Sequence, residues 1–456
     1  MTRTEPARVV ICGGGVAAAE ALLALREILA IRPHIDIVAP NDKFVYRPMA
    51  VAEPFGLAKT RLFDVAAIAE DLDAELHVGS LARVCHSERC VELADGARLP
   101  YDAAIVAVGA RRDAWLEGAI CFRGAEDADE FTDLLGRLER GDVTRLAFAS
   151  PTGLSWTLPL YEMALLTASR LAELGVTGVE LTVLTAEADP LTVFGGAAGR
   201  MLRDQLSDRG IRLRAGASVE RLADGALELG TGETIEVDEV VTLPRLGGPR
   251  VKGLPADADG FILIDDHCRV SGLQDVYAVG DGTDFPIKQG GIATQQADVA
   301  AECVAARLGA PVQPPAFEPL LRGMLLTGVA PMYLRASVGA APDENGDVAA
   351  NALWWPPTKI AGRYLGPYLA CVSTLGERTP LEDRPTSTLE PDVLQADHRE
   401  ARELALVFAE ADARGGDFHS ALGWLEVVER LDGVLPAGYL ERREAWRAHA
   451  GTDALG

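Results

Sequence analysis

The chain has 456 residues, and its 43 lysine and arginine residues stand against 68 aspartate and glutamate residues, for a formal net charge of −25. Hydrophobic residues make up 48% and charged residues 24%, which is typical of a folded protein and excludes a largely disordered chain. Because so acidic a protein repels phosphates and no Lys/Arg-rich run occurs, we expect no nucleic-acid partner. No apolar run reaches about 18 residues, so we expect no transmembrane segment. The seven scattered cysteines include no Cys-x-x-Cys pair, which favours reduced thiols and a cytoplasmic location.

The first half of the chain repeats a strand–helix–strand pattern. Short Val/Ile-rich strands are predicted over 9–12 and 35–38, around a helix over 16–30, and a strand-rich stretch follows over 75–99. The same pattern begins again over 145–250. Two successive patterns of this kind predict an α/β fold with two doubly wound, Rossmann-like modules and parallel sheets.

The first predicted turn carries a glycine motif. Gly13 and Gly15, with an alanine three residues later, form Gly-x-Gly-x-x-Ala between the first strand and the first helix. Gly13 would permit the tight turn, and Gly15 would let a pyrophosphate approach the backbone amides at the helix N-terminus. The acid that usually binds the ribose should end the second strand, but Asp36 lies inside that strand, so Asn41 or Asp42 is expected to replace it.

Two later segments carry further nucleotide-binding features. A strand-like run ends in Ala-Val-Gly at Gly109, and a second run ends in Gly-Asp at Asp281, followed by a Gly-Gly pair and a helix-like run over 291–308. Together with the first turn, in this order and separation, these elements resemble the flavoproteins with two dinucleotide-binding domains, also called the pyridine nucleotide–disulfide oxidoreductases. The resemblance covers about residues 8–310.

Within this family, the chain is most similar to the branch of sulfide:quinone oxidoreductases and type-II NADH dehydrogenases. The similarity lies in Phe-Val-Tyr-Arg-Pro ending at Pro48, in Tyr161-Glu162, and in Ala-Thr-Gln-Gln-Ala ending at Ala297.

The resemblance implies FAD bound in an extended form. The two glycines of the first turn would flank its pyrophosphate, the backbone at Leu81 would face the adenine, and Gly109 would close over the nucleotide. Asp281 would bind the ribityl side, and the following helix would direct its N-terminus at the pyrimidine edge of the flavin, where reduced flavin carries negative charge. The cofactor-binding candidates are Gly13, Gly15, Val16, Ala17, Asn41, Arg47, Leu81, Ala107, Gly109, Gly280, Asp281, Gly290, Gly291 and Ile292.

The chain departs from the disulfide-reducing members of the family in its cysteines. No cysteine pair stands early in the first module or as Cys-x-x-Cys in the second, and the segment over 155–162 that resembles the flavin-side site of the sulfide:quinone enzymes has no cysteine. We therefore expect no dithiol relay. Cys303 and Cys371 are expected to be buried structural thiols, while an oxidoreductase of sulfide or another sulfur compound that uses one of them stays open as an alternative.

The second module also departs from the usual NAD(P)H-binding pattern. Its first strand leads into a turn with a single glycine, Gly153, in a segment with two prolines that lack amide donors. Glu162 and Glu187 remain candidates for binding the nicotinamide nucleotide. NAD(P)H use and a purely structural module are therefore both open.

Three cations are candidates for tuning the flavin. Arg47, Lys288 and Lys359 could each raise its reduction potential by stabilising the anionic reduced form, and Lys288, just before the Gly-Gly pair, is the strongest candidate. The Trp-Trp-Pro-Pro run over 354–357 could wall an acceptor slot or fill the core of the third region, and we favour the core.

The sequence thus predicts four regions. These are an FAD-binding domain over 1–115 and 252–315, an NAD(P)-binding-like domain over 116–251, a C-terminal interface domain over 316–395 and a helical tail over 396–456. The tail is predicted to be a helical hairpin with a further helix, and it lacks the Lys-rich face of a membrane-docking helix.

We expect an FAD-dependent oxidoreductase that passes electrons from a reduced donor, with NAD(P)H as one candidate, through FAD to a quinone or another diffusible acceptor. Its partners would be small molecules, with a homodimer through the third domain and a protein partner at the tail as further options. A flavin-binding protein that has lost catalysis and recruits a partner through its tail stays open as a second alternative.

Overall fold

The computed structural model describes residues 6–338, 346–354, 357–369, 398–414, 416, 418–432 and 434–452. Its strands, numbered in chain order, are β1 Arg8–Cys12, β2 His34–Ala39, β3 Lys43–Tyr46, β4 Arg61–Asp64, β5 Glu75–Val78, β6 Leu81–Cys85, β7 Cys90–Leu93, β8 Arg98–Pro100, β9 Ala103–Val106, β10 Arg111–Asp113, β11 Ile120–Cys121, β12 Arg145–Ala149, β13 Glu180–Leu184, β14 Arg212–Arg214, β15 Val219–Ala223, β16 Ala226–Leu229, β17 Thr234–Glu236, β18 Glu239–Thr242, β19 Arg245–Gly247, β20 Val276–Ala278, β21 Leu320–Leu325, β22 Met332–Ser337 and β23 Gly346–Ala349. The longer helices are α1 Val16–Ile28, α2 Val65–Asp71, α3 Ala128–Glu139, α4 Leu158–Glu173, α5 Gly196–Asp208, α6 Gly290–Arg307, α7 His398–Arg414, α8 Phe418–Asp432 and α9 Tyr439–Thr452. None of these described helices is long and apolar enough to cross a membrane.

The first sheet is parallel, with strand order β20-β9-β1-β2-β5. In the central strand β1, Val9 and Ile11 pack with residues of α1 and α6. Val10 and Cys12 point to the other face, where the antiparallel strands β6, β7 and β8 pack. Because successive side chains of a strand alternate between faces, a central strand that is covered on both sides needs a continuous apolar run.

The second sheet is also parallel, with strand order β11-β18-β12-β13-β14. One face is covered by α3, α4 and α5, which contribute Phe131, Leu165 and Leu202 to the largest apolar cluster. The opposite face packs against the small antiparallel sheet of β15, β16 and β17.

The first sheet takes its strands from two separate parts of the chain. β20 and α6 join it after the strands of the second sheet have been completed, which is the order that the sequence predicted. The predicted α/β fold with two doubly wound parallel sheets is confirmed. The domain boundaries themselves stay predictions.

A third, antiparallel sheet of β21, β22 and β23 follows. Next to it, Trp354 is buried with its ring 5.2 Å from that of Tyr333, and its indole N–H donates to the carbonyl of Thr358 at 2.9 Å. Trp354 therefore fills the core, as favoured, and does not wall the large cavity described below. Trp355 and Pro356 of the same run lie outside the described residues.

The three C-terminal helices form a cluster of their own around Phe408 and Trp424, whose ring centroids are 4.6 Å apart. The indole N–H of Trp424 donates to Oδ2 of Asp412 at 2.7 Å, and Arg61 of β4 donates to Oδ1 of the same carboxylate at 2.5 Å. This buried aspartate thus connects the helical tail to the hairpin of β3 and β4.

Candidate cofactor-binding and redox site

A cavity of about 750 Å³ opens at the carboxyl ends of the first sheet. The segments that follow β1, β2, β5, β9 and β20 all line it, as expected of the ligand site in an open parallel sheet. Its volume lies within the range typical of cofactor sites. Of the predicted cofactor-binding residues, those that line it are Gly13, Gly15, Val16, Ala17, Asn41, Arg47, Leu81, Ala107, Gly109, Gly280, Asp281 and Gly290.

The turn between β1 and α1 has no room for a side chain at its first glycine. Gly13 has a φ of +146°, and a Cβ there would lie 2.2 Å from the carbonyl oxygen of Ala107. By contrast, a Cβ at Gly15 would meet nothing within 4 Å, so this position leaves open space at the cavity. Gly15 is the N-cap of α1, and no side chain caps that end. The first amides of α1 are therefore available to an anionic group.

Asp281 lines the cavity just after β20 and has basic side chains around it. Desolvation raises the pKa of its carboxyl, while Lys288, Arg112 and Arg47 act in the opposite direction. Desolvation lowers the pKa of Lys288 to about 8, against the pull of Asp281. The Lys288 ammonium lies 3.9 Å from the ring centroid of Phe261 and donates to a backbone carbonyl. Further carboxylates face the same cations: Glu126 lies 3.8 Å from Arg112, and Asp284 and Asp257 act on Lys288 together with Asp281.

The N-terminus of α6 meets the cavity beside these cations. Gln289 caps it, since its side-chain oxygen accepts from the backbone N–H of Ile292 at 2.9 Å. Gln289 and Gly290 line the cavity, and a Cβ at Gly290 would lie 2.4 Å from Ile360. Gly291 and Ile292 lie outside the lining, so their predicted contact with a cofactor stays a prediction.

A buried ion pair borders the cavity from the side of the second sheet. Lys359 donates to both carboxylate oxygens of Glu162 at 2.7 and 2.8 Å, and the backbone N–H of Leu326 donates to Oε1 at 2.9 Å. Burial raises the pKa of Glu162, and Lys359 opposes that shift. The pairing means that Lys359 does not present an unbalanced charge, which weakens its predicted role as a flavin-tuning cation.

The other two nicotinamide candidates lie outside the lining. Gly153, with a φ of +82°, sits in the turn after β12. The carboxylate of Glu187 accepts hydrogen bonds from Thr157 at 2.7 Å, Tyr161 at 2.7 Å and Thr185 at 3.2 Å. These contacts hold the start of α4 against the end of β13, and the predicted ribose contact of Glu187 stays a prediction.

The cysteines of the described chain lie away from the cavity. None of the six lines it, and desolvation raises the pKa of Cys303 to about 11, which keeps it a thiol. This agrees with the expected structural role of Cys303. Cys371 lies outside the described residues.

Several lining residues escaped the sequence reasoning. Arg111 and Arg112 directly follow the Ala-Val-Gly-Ala segment, and their position immediately after a nucleotide-binding strand was a usable signal. Trp156, Leu158 and Met324 add an apolar part. Trp156 and Leu158 lie in the segment over 155–162 that resembles the flavin-side site of the sulfide:quinone enzymes, whereas no local motif marks Met324, which the third sheet brings to the cavity.

Comparisons with known proteins agree with this geometry. Residues 7–301 match the model of the pyridine nucleotide–disulphide oxidoreductase family. The ferredoxin reductase component of chlorobenzene dioxygenase from Cupriavidus sp. (strain PS12) is 26% identical over 307 residues, which are 62% of this chain and 68% of that protein.

Solved structures of this kind share the fold. The sulfide:quinone oxidoreductase of Aquifex aeolicus superposes with a TM-score of 0.67 at 19% identity, over 75% of this chain and 86% of that one. A ferredoxin reductase from Rhodopseudomonas palustris gives a TM-score of 0.56 at 19% identity, over 72% and 81% of the two chains. The chain therefore belongs to the pyridine nucleotide–disulphide oxidoreductase family and is an FAD-dependent oxidoreductase.

Proposed function

We propose that the large cavity binds FAD in an extended form and that the enzyme passes electrons from a reduced donor through it to a quinone or another flat, diffusible acceptor. The observation that carries the proposal is the continuous cavity itself. Its lining includes the uncapped N-terminus of α1, Asp281 with the three cations that face it, and the start of α6. FAD, when bound, supplies the chemistry of accepting an electron pair from one partner and releasing it to another.

The residues at hand fit such a cofactor. The tight turn at Gly13, the open space at Gly15 and the free amides of α1 suit a pyrophosphate. Arg47, Arg112 and Lys288 suit negative charge that develops on reduction. Hydrogen-bond donors that are already held in place need no rearrangement when that charge appears.

The acceptor side of the proposal rests on the apolar part of the lining. Trp156, Leu158 and Met324 lie there together with the Glu162–Lys359 pair. Apolar walls with a few polar groups are typical of sites for small flat molecules. A redox disulfide has no place in the proposed route, because no cysteine of the described chain lines the cavity.

Two half-reactions measured separately would test this function. The protein is titrated anaerobically with NADH, NADPH and sulfide while the flavin absorbance is followed, and the reduced protein is then mixed with a water-soluble quinone. Bleaching by one donor within a few equivalents and rapid recovery with the quinone are expected. A flavin that no donor reduces, in a protein that still binds FAD, would instead support a flavin-binding protein without catalysis.

A further inference from the structure

A cluster of histidines and carboxylates lies on the edge of the first sheet, separate from the large cavity. His34 begins β2 and Asp36 is its third residue, while Glu75 begins β5 and His77 is its third residue. The two strands are parallel neighbours, with Asp36 opposite Glu75. Because side chains alternate along strands, all four point to the same face. None of the four lines the large cavity.

The donor atoms of the cluster approach one another closely. Oδ1 of Asp36 lies 3.2 Å from Nε2 of His34 and 2.8 Å from Nε2 of His77. The two carboxylate oxygens of Glu75 lie 3.6 Å from Nε2 of His34 and 3.9 Å from Nε2 of His77. Each imidazole therefore faces both carboxylates. One donor atom each from His34, Asp36 and Glu75 lies within 4.8 Å of the other two, so these three can share an ion, while His77 contacts this set through Asp36 and Glu75.

Asp36 is the buried member of the cluster. Its side chain is 1% exposed, and its Oδ2 atom is buried without a hydrogen-bond partner. Nη2 of Arg8 approaches that oxygen only to 3.5 Å. A buried carboxylate needs compensation for its lost hydration. Oδ1 of Asp36 therefore points toward the two imidazoles, and Oδ2 points toward Arg8. A guanidinium in this position can orient a carboxylate that binds a metal ion.

We propose that His34, Asp36 and Glu75, with His77 beside them as a fourth donor, form a binding site for a divalent transition-metal ion of the zinc class. Two imidazole nitrogens and two carboxylate oxygens are a donor set that suits zinc better than magnesium or calcium, which prefer oxygen alone. The side chains of His34, His77 and Glu75 are 35%, 24% and 60% exposed, so the ion can enter from solvent.

The ion would have a structural role, since four protein donors fill a tetrahedral shell and leave no position for a reactant. It would clamp β2 to β5, the outermost pair of the sheet. Both strands lead directly into segments that line the large cavity, over 38–41 and 79–81. The clamp would thus hold the edge of the sheet from which these two segments project.

A second cluster in the described chain provides a matched control. Asp265, Asp266 and His267 also lie close enough to share an ion. That cluster has one imidazole, and both of its carboxylates are exposed. Exposed acidic groups of this kind are common without a metal, so we expect no specific uptake there.

The test measures zinc uptake by the full-length protein. After removal of metals with a chelator, the chain is equilibrated with Zn²⁺ and its metal content is determined by mass spectrometry. The wild type and the control H267Q are expected to bind about one ion per chain with a Tm rise of a few degrees. The double variant H34Q/H77Q, whose changes are at partly exposed positions, should bind at least about tenfold more weakly. X-ray absorption of the bound zinc should show only nitrogen and oxygen neighbours, at about 2.0–2.2 Å.

Two results would overturn the proposal. One is a wild type that takes up no more zinc than H34Q/H77Q, which would leave the cluster as a set of hydrogen bonds only. The other is uptake that H267Q abolishes. A circular dichroism spectrum for each variant establishes that it has folded, and D36N serves as a further variant that removes the central carboxylate while keeping its shape.

Discussion

Replacing Lys359 by methionine isolates the role of the buried ion pair beside the cavity. Methionine keeps most of the apolar stem but leaves Glu162, which is 1% exposed, with a single hydrogen bond, from Leu326. Removing one partner of a buried pair costs about 3–5 kcal/mol of unfolding free energy. Because the carboxyl can escape part of this cost by binding a proton, we expect a loss near the lower end, about 3 kcal/mol at neutral pH.

The pH dependence distinguishes this explanation from simple loss of packing. Burial already raises the pKa of Glu162, and the loss of Lys359 raises it further. When the pKa of an acid is higher in the folded state than in the unfolded state, the folded protein loses stability as the pH rises. The loss begins near the unfolded pKa of a glutamate, about 4.3, and continues up to its pKa in the folded state. The deficit of K359M should therefore grow as the pH rises. The double variant E162Q/K359M buries no charge, so its deficit should be small and nearly independent of pH.

Urea unfolding followed by circular dichroism measures these free energies, with the same excess of FAD in every sample. The reasoning is refuted if K359M loses less than about 1 kcal/mol. It is refuted equally if E162Q/K359M loses as much as K359M at every pH. Either outcome would mean that the close contact between the two side chains does not reflect an energetically coupled pair.

Further predictions concern the cofactor site and the segment over 357–369, which contributes Lys359 and Ile360 to its lining. G13A places a Cβ 2.2 Å from a backbone oxygen, so the FAD affinity measured by fluorescence titration should fall at least about tenfold. The control is G96A, at a turn with φ +89° and open space around it, which should keep the normal FAD affinity. K288M should lower the flavin reduction potential by about 30 mV, which is equivalent to about 1.4 kcal/mol for two electrons. In a dye-equilibration series, the difference in potential between wild type and K288M should disappear as the pH rises through about 8, where Lys288 loses its proton. Equal potentials of the two proteins below that pH would contradict the prediction. E20A removes the acceptor of the backbone N–H groups of Tyr364 and Leu365, which donate to Glu20 at 2.8 and 2.7 Å. The variant should lose about 2 kcal/mol of unfolding free energy, and amide hydrogen exchange over 357–369 should become faster. Unchanged exchange over 357–369 would refute this prediction.

Features that depend on local chain geometry could be predicted from the sequence. Gly13 was recognisable because a strand-to-helix turn that passes a neighbouring strand has no room for a Cβ, so this single position requires glycine. Asp281 was recognisable because it directly follows an apolar strand that ends at the cofactor edge of a parallel sheet. The fold followed from the same periodicities.

Features that depend on distant segments could not be predicted. The partner of Lys359 is Glu162, 197 residues away along the chain, so no spacing rule connects them. The sequence placed Lys359 near the flavin but did not show that its charge is balanced. Similarly, Asp36 was set aside as a strand residue, because the two histidines that face it become its neighbours only when β2 pairs with β5.

The FAD content of the purified protein tests the central claim most directly. The absorbance spectrum of the native protein is recorded before and after denaturation releases the cofactor, and again after incubation with added FAD. A yellow protein that holds about one FAD per chain, and loses it in G13A, is the predicted result. A colourless protein that takes up no added FAD would contradict the assignment of the cavity and every step that depends on it.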